Sequence, residues 1–291
     1  MTETRFQFEA IGTHWQIDIP EELSPSVFSA IENVILERIA VYDEAYSRFR
    51  DDTLVAKMAE REGVYELPDD APPLFSLYEQ VYSLTEGKVT LLIGKVMEEA
   101  GYDKEYSLIS KKLHTPPTIS EVFSRDGNIL TMKKPALIDI GAAGKGYLVD
   151  LVGEVLEAQG VHSYTIDAGG DITHRSISVT PISIGLENPN NTSEVIGVVT
   201  LGNQSIAGSA GNRRAWGKFH HIIDPTTLES PTEILATWVV ADTTLLADML
   251  ATCLFFVPAS VLTPHFSFAY VILYKDFSIE RSADLNAEFF S

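Results

Sequence analysis

A single cysteine, Cys253, in 291 residues removes two classes of architecture at once. No intrachain disulfide framework can form, and no thiolate cluster can hold a metal. Cations are scarce too: 21 Lys and Arg face 41 Asp and Glu, a formal charge of −20. A surface that acidic repels phosphate backbones and anionic lipid, so no nucleic acid and no bare membrane is expected as partner. A nucleotide held locally by backbone N–H groups and a metal ion stays compatible with it. Long hydrophobic runs are missing as well. Met249 to Val257, the most apolar stretch, is closed off by Asp248 and Pro258, far short of the ~20 residues that span a bilayer. Residues 1–10 lack the apolar core of a signal peptide, and a cytoplasmic location is expected. Repeats and low-complexity tracts are absent.

What is present is ordinary globular composition, 45% apolar and 21% charged, enough for a substantial core. Phe6 and Phe8, then Trp15, Ile17 and Ile19, alternate with polar residues and predict two strands around Gly12. After the cap signal Ser24-Pro25, residues Phe28, Ile31, Val34, Ile35 and Ile39 predict a helix. The Pro-punctuated stretches 66–73 and 114–120 read as loops. Ile138-Asp139-Ile140 reads as a strand, and Leu148, Leu151, Val152, Val155 and Leu156 share one face of a helix that Gly160 ends. Strands are expected at Tyr164–Ile166, Ser183–Leu186, Val195–Leu201, Ala236–Val240 and Phe268–Tyr274. Many strands without regular βα alternation indicate an α+β fold.

Several segments carry chemical potential. Gly141-Ala142-Ala143-Gly144-Lys145-Gly146 lies between strand and helix, where backbone amides can cradle an anion. Its spacing is neither a Walker A loop nor the dinucleotide fingerprint, and a plain tight turn is the competing reading. Ala168-Gly169-Gly170-Asp171 is a second turn, for which a simple hairpin competes. The helix from about Thr243 to Phe256 is apolar nearly all round except for Asp248 and Thr252, four residues apart. A buried carboxylate needs a cation or several donors, and oxygen ligands suit a hard ion such as Mg²⁺; a structural pairing with arginine explains it equally well. His220-His221-Ile222-Ile223-Asp224-Pro225 offers a general base in His221, or merely a strand-end histidine. Tyr46-Ser47-Arg48-Phe49-Arg50 reads, taken alone, as the surface end of a helix.

In this order these segments resemble the ApbE-type FAD:protein FMN transferase family. The resemblance rests on Phe8 to Thr13, Tyr46 to Phe49 with Asp52-Thr53-Leu54, and Ile138 to Asp150. It continues through Asp167 to Ile172, His221 to Pro225 and Ala247 to Thr252. It implies one α+β domain over residues 1–291, built from two related halves of mixed or antiparallel sheet with packed helices, the flavin between them. The implied reaction is Mg²⁺-dependent transfer of FMN from FAD to a threonine hydroxyl of an acceptor flavoprotein, with release of AMP. Carried over by position, Asp248, Thr252 and the Gly144 carbonyl would hold the metal, and His221 would be the base. Ile11, Phe49, Lys88, Val89, Thr90, Lys145, Tyr147, Asp150, Gly169, Gly170 and Asp171 would bind the cofactor, Phe49 and Tyr147 by stacking or packing.

The chain departs from the family pattern at several places. Ile11 replaces a methionine, and Ser209-Ala210-Gly211 and Thr226-Thr227-Leu228 replace a Ser-Gly-acid and a basic-Thr-Gly step. Glu86 to Leu92 loses the aspartate, proline and threonine of a Gly-x-Phe-Asp-Pro-Thr segment, leaving Thr90 where a carboxylate is usual. The metal and histidine positions remain. The rival readings are an FAD pyrophosphatase yielding FMN and AMP, and a non-catalytic FAD-binding protein.

Overall fold

Polar–apolar alternation at the start of the chain forms an antiparallel hairpin of β1 (Thr4–Ala10) and β2 (Thr13–Ile19). The computed structural model describes residues 3–290. Met1, Thr2 and Ser291, the ends of the expected 1–291 domain, lie outside the described residues. Phe6, Trp15, Ile17 and Ile19 point into the core. The two-residue turn puts Ile11 at φ 45° and Gly12 at φ 75°, the positive pair that a hairpin of this length favours. For a β-branched side chain that conformation is strained.

Next comes α1 (Pro25–Tyr46), capped by Ser24 and burying Ile31, Ile35 and Ile39. Val34, expected on that face, is 37% exposed, because burial follows the four-residue row of the three isoleucines. After an insertion the chain enters α6 (Gly144–Ala158), β6 (Tyr164–Ala168) and β7 (Asp171–Arg175). The second half repeats this plan. It comprises β10 (Ser205–Ala210), β13 (Ile234–Ala241), α7 (Thr244–Cys253), α8 (Ala259–Leu262), β14 (Ala269–Tyr274) and β15 (Ile279–Arg281). In each half the helices are inserted between the second and third strands. The two halves join edge to edge through β7 and β10 in an eight-stranded antiparallel sheet, β1-β2-β6-β7-β10-β13-β14-β15. The fold is α+β with two related halves.

Three smaller groups complete it. The insertion holds α2 (Leu54–Glu60), β3 (Gly63–Glu66), α3 (Pro72–Leu84), α4 (Gly94–Ala100), α5 (Ile119–Val122), β4 (Phe123–Asp126) and β5 (Ile129–Met132), with sheet order β3-β5-β4. Pro72 and Pro73 therefore open a helix instead of lying in a loop, as proline at a first turn can. Between the halves, β8 (Ile182–Asn188) and β9 (Asn191–Leu201) pair, and β16 (Ala287–Phe289) adds to β9. Within the second half, β11 (Ala215–Trp216) and β12 (Phe219–His220) form a short hairpin. Ile138 to Ile140 is buried, but among the described residues no strand runs beside it and it belongs to no ladder; Asp139 N–H donates to the Leu91 carbonyl at 2.9 Å. Among the described residues no helix is long and apolar enough to cross a membrane.

Candidate active site

The turn that opens α6 consumes its own amides. Gly141 N–H donates to Asp139 Oδ1 at 2.6 Å, Ala142 N–H to the Tyr78 hydroxyl at 3.2 Å, and Gly146 N–H to Asp248 Oδ2 at 2.9 Å. The N–H groups of Ala143 and Gly144 return to the Ile140 carbonyl. An amide cradle for an anion, expected from the glycines, is therefore not available at these residues. The Ala142 carbonyl stands instead beside Thr252, whose hydroxyl donates to it at 3.4 Å. The Gly144 carbonyl, expected to hold a metal, is buried and accepts the Tyr42 hydroxyl at 2.7 Å. The turn presents an oxygen to the cavity at Ala142, whereas the Gly144 carbonyl faces Tyr42.

Close helix packing delivers the carboxylate. A Cβ on Gly146 would lie 2.7 Å from the Asp248 Cβ, so only glycine lets α6 and α7 approach this far. Asp248 and Asp171 are both buried, and burial together with their mutual repulsion drives the Asp248 carboxyl well up; burial also raises Asp171. Neither Asp171 oxygen makes a hydrogen bond, although Lys145 Nζ stands 3.1 Å from Oδ1 as an ion-pair partner. Lys145 also donates to the Gly169 carbonyl at 3.3 Å. One ammonium is a poor match for two buried carboxylates. Ser209 Oγ lies 3.4 Å from Thr252 Oγ1. Among the described residues no three His, Cys, Asp or Glu side chains converge for a metal. Asp248, Thr252 and Ala142 thus present one carboxylate, one hydroxyl and one carbonyl oxygen to the same cavity.

These groups open into a cavity of about 750 Å³, of the size that holds a small-molecule ligand. Ile11, Lys88, Val89, Thr90, Lys145, Gly169, Gly170, His221, Asp248 and Thr252 all line it. Gly169 and Gly170, at φ 62° and 98°, form the β6–β7 hairpin turn and the cavity wall at once. Thr90 accepts the Leu92 N–H at 3.2 Å as a helix cap, and its hydroxyl proton stays free for other partners.

Four expected cofactor contacts lie elsewhere. Tyr147 is buried among Tyr42 and Tyr46, with its hydroxyl on the Asp70 carbonyl and carboxylate, both at 2.8 Å. Phe49 stacks on Tyr106 and meets Tyr102 edge-on, so Tyr102 and not Phe49 forms the wall. Asp150 accepts the N–H groups of Thr244 and Leu245 at 2.9 and 2.8 Å, closing the first turn of α7. Asp171 sits behind Lys145 without reaching the cavity. Sequence reasoning missed Tyr102 and Arg214 as lining residues. Arg214 adjoins the hairpin whose end carries the histidines, a signal present in the chain.

His221 is half-buried, and among the described residues its enclosed Nδ1 has no hydrogen-bond partner. Burial first, then the positive charge of Arg214, pulls its pKa down to about 3, so the ring is neutral near pH 7. Neutral, the ring keeps one acceptor nitrogen, and so low a pKa makes it a weak base until a facing anion raises it. His220, by contrast, is tied on both nitrogens: Nε2 to the Pro231 carbonyl at 2.8 Å and Nδ1 to the Ile222 N–H at 3.2 Å.

A sequence model of the ApbE family matches residues 11–263. The chain belongs to the ApbE family. The FAD:protein FMN transferase of Haemophilus influenzae is 30% identical over 236 residues, 73% of this chain and 66% of that protein. The one from Buchnera aphidicola is 24% identical over 82% of this chain and 76% of its own length. The Vibrio cholerae sequence is 28% identical over 163 residues, half of this chain and 47% of its own length. Among solved structures, the ApbE protein of Thermotoga maritima superposes with a TM-score of 0.82 at 21% identity, covering 97% of both chains. The flavin transferase ApbE from Vibrio cholerae gives 0.79 at 20% identity over 97% of this chain and 96% of its own. The ApbE architecture thus extends over almost the whole chain, including the β7–β10 junction that brings Asp171 near Asp248.

Proposed function

We propose that this ApbE-family chain transfers FMN from FAD to a threonine hydroxyl of an acceptor flavoprotein, using Mg²⁺ and releasing AMP. The observation that carries the reading is one shared cavity. Oxygen donors fit for a hard cation line it together with a half-buried histidine whose Nδ1 has no hydrogen-bond partner among the described residues. The names of the relatives support flavin transfer as the chemistry.

The residues present fit the ion. Asp248 brings the carboxylate, Thr252 the hydroxyl and Ala142 the carbonyl, and all are oxygens; two buried carboxyls with one lysine between them call for further positive charge. Bound there, Mg²⁺ would neutralise charge developing on the diphosphate oxygens. Lys145 and Lys88 add fixed positive charge along the wall, and Ile11, Val89 and Tyr102 supply apolar surface for the ring system. His221 takes the proton of the acceptor hydroxyl. The freed oxygen then bonds to the phosphorus on the riboflavin side, and the bond to the bridging oxygen breaks. AMP leaves with that oxygen, so the count of atoms closes without an oxidant or reductant.

Incubation with FAD, Mg²⁺ and a threonine-bearing flavoprotein domain tests this. Flavin fluorescence that stays with the denatured acceptor supports transfer. Free FMN with AMP would make the chain a pyrophosphatase, and intact bound FAD would make it a binder.

A further inference from the structure

Arg48 reads in the sequence as the surface end of a helix, yet it is only 9% exposed. Just past the end of α1, the chain is pinned by Thr53, whose hydroxyl donates to the Ser47 carbonyl at 2.8 Å. Arg48 then turns inward. Its Nε lies 2.6 Å from Asp139 Oδ2, its Nη1 donates to the Tyr102 carbonyl at 2.9 Å, and its guanidinium covers the rings of Phe49 and Tyr102 at 4.2 and 4.9 Å. The other Asp139 oxygen holds Gly141 N–H at 2.6 Å, and a Cβ on Gly141 would stand 2.8 Å from it. One guanidinium therefore joins three pieces of the cavity wall: the Asp139 segment, the turn carrying Ala142, and Tyr102.

We propose that Arg48 is a positioning residue for the cation site: it locks Asp139, and through Asp139 the turn that aims the Ala142 carbonyl at the cavity beside Thr252. This rests on the cation site of the proposed function. Arg48 touches no reacting atom. A fork is needed, because the two acceptors, Asp139 Oδ2 and the Tyr102 carbonyl, are held by different nitrogens of one planar group. Without it the Asp139 carboxylate is left buried and unpaired, and the turn loses its anchor.

The test is Mn²⁺ binding to the full chain with FAD present, followed by the EPR signal of free Mn²⁺, alongside the melting temperature. Arg48→Met is expected to raise the Mn²⁺ dissociation constant by about 10–100-fold, the usual effect of removing a group that orients a ligand. Asp139→Asn should weaken binding similarly, and Arg48→Met/Asp139→Asn should be no worse than the larger single loss. Arg48→Lys should recover only part, since one ammonium cannot serve both acceptors. If Arg48→Met unfolds, the charge-balanced double variant and Arg48→Lys still report. Two results overturn the proposal: a folded Arg48→Met with wild-type Mn²⁺ affinity, which would leave the ion pair a mere stabiliser, or losses that multiply in the double variant. A wild-type chain that binds no Mn²⁺ would remove the cation site itself, and the Arg48 role with it.

Discussion

At the scale of single residues, chemistry concentrates in a few side chains whose surroundings contradict their polarity. Asp248 is the clearest. Its burial beside Asp171 is unfavourable, so Asp248→Ala should keep or raise the melting temperature while cutting Mg²⁺-dependent FAD turnover at least roughly a hundredfold. Wild-type turnover at equal Mg²⁺ would make the carboxylate structural. His221→Ala should slow single-turnover transfer by about 10²–10⁴-fold with little change in FAD affinity; His220→Ala, which breaks side-chain hydrogen bonds to Pro231 and Ile222 and ring contacts with His221 and Phe255, should leave that rate near wild type. Thr90 is a third case. Thr90→Asp keeps the cap on Leu92 and adds an acceptor for the cofactor, so FAD titration should show binding about 10–100-fold tighter, the worth of one charged hydrogen bond. An unchanged or weaker affinity would place Thr90 away from the flavin. Asp248 was legible because a carboxylate on an apolar helix is an anomaly visible in one line of sequence. Arg48 was not, because its partners Asp139 and Tyr102 lie far along the chain. Aromatic residues such as Phe49 and Tyr147 announce stacking but not the partner, and here the partners are other tyrosines.

At the scale of elements, the site depends on how α7 is held against α6. Asp150 caps α7 across the helix pair, and burial pushes its carboxyl up to about 6, against ~3.9 in an unfolded chain. Between those values the native protein keeps a proton that the unfolded chain has lost. Its contribution is full below about pH 4 and is lost as the pH rises through 6, a swing of roughly 3 kcal/mol at most. Urea midpoints at pH 4.5 and 7.5 should therefore move in favour of Asp150→Asn, relative to wild type, at the higher pH; a difference independent of pH would contradict the raised carboxyl. The long helices α1, α6 and α7 and the strands β1, β2, β6, β8, β9, β13 and β14 could be read from periodicity, since each is a local pattern; the short elements of the insertion and strands such as β10 could not. Ile138 to Ile140 could not. Alternation reports which side chains are buried, and it says nothing about whether a neighbouring strand exists to complete a ladder. The anion cradle at Gly141–Gly146 failed for a related reason: glycine spacing shows that backbone can come close, not which way its amides point.

At the scale of the whole molecule, a chain of charge −20 gathers Lys88, Lys145, Arg213 and Arg214 around one cavity, where an anionic dinucleotide and a cation can meet. The edge-to-edge union of two similar halves builds that cavity, and sheet order is a property no linear pattern displays; the α+β class followed from element content, the arrangement from the family resemblance. A bound ion that ties the halves together should stabilise them. Mg²⁺ at a hundred times its dissociation constant is worth about 2.7 kcal/mol, or a rise of roughly 4–5 °C in melting temperature for a protein of this size, and Asp248→Ala should abolish the rise. The most direct measurement is the intact mass of a threonine-bearing acceptor incubated with this chain and FAD, after chelation and with Mg²⁺ then restored. The acceptor should gain one FMN on threonine only with Mg²⁺ present, with one AMP released per flavin attached. FAD cleaved to free FMN while the acceptor mass stays unchanged would contradict the transfer.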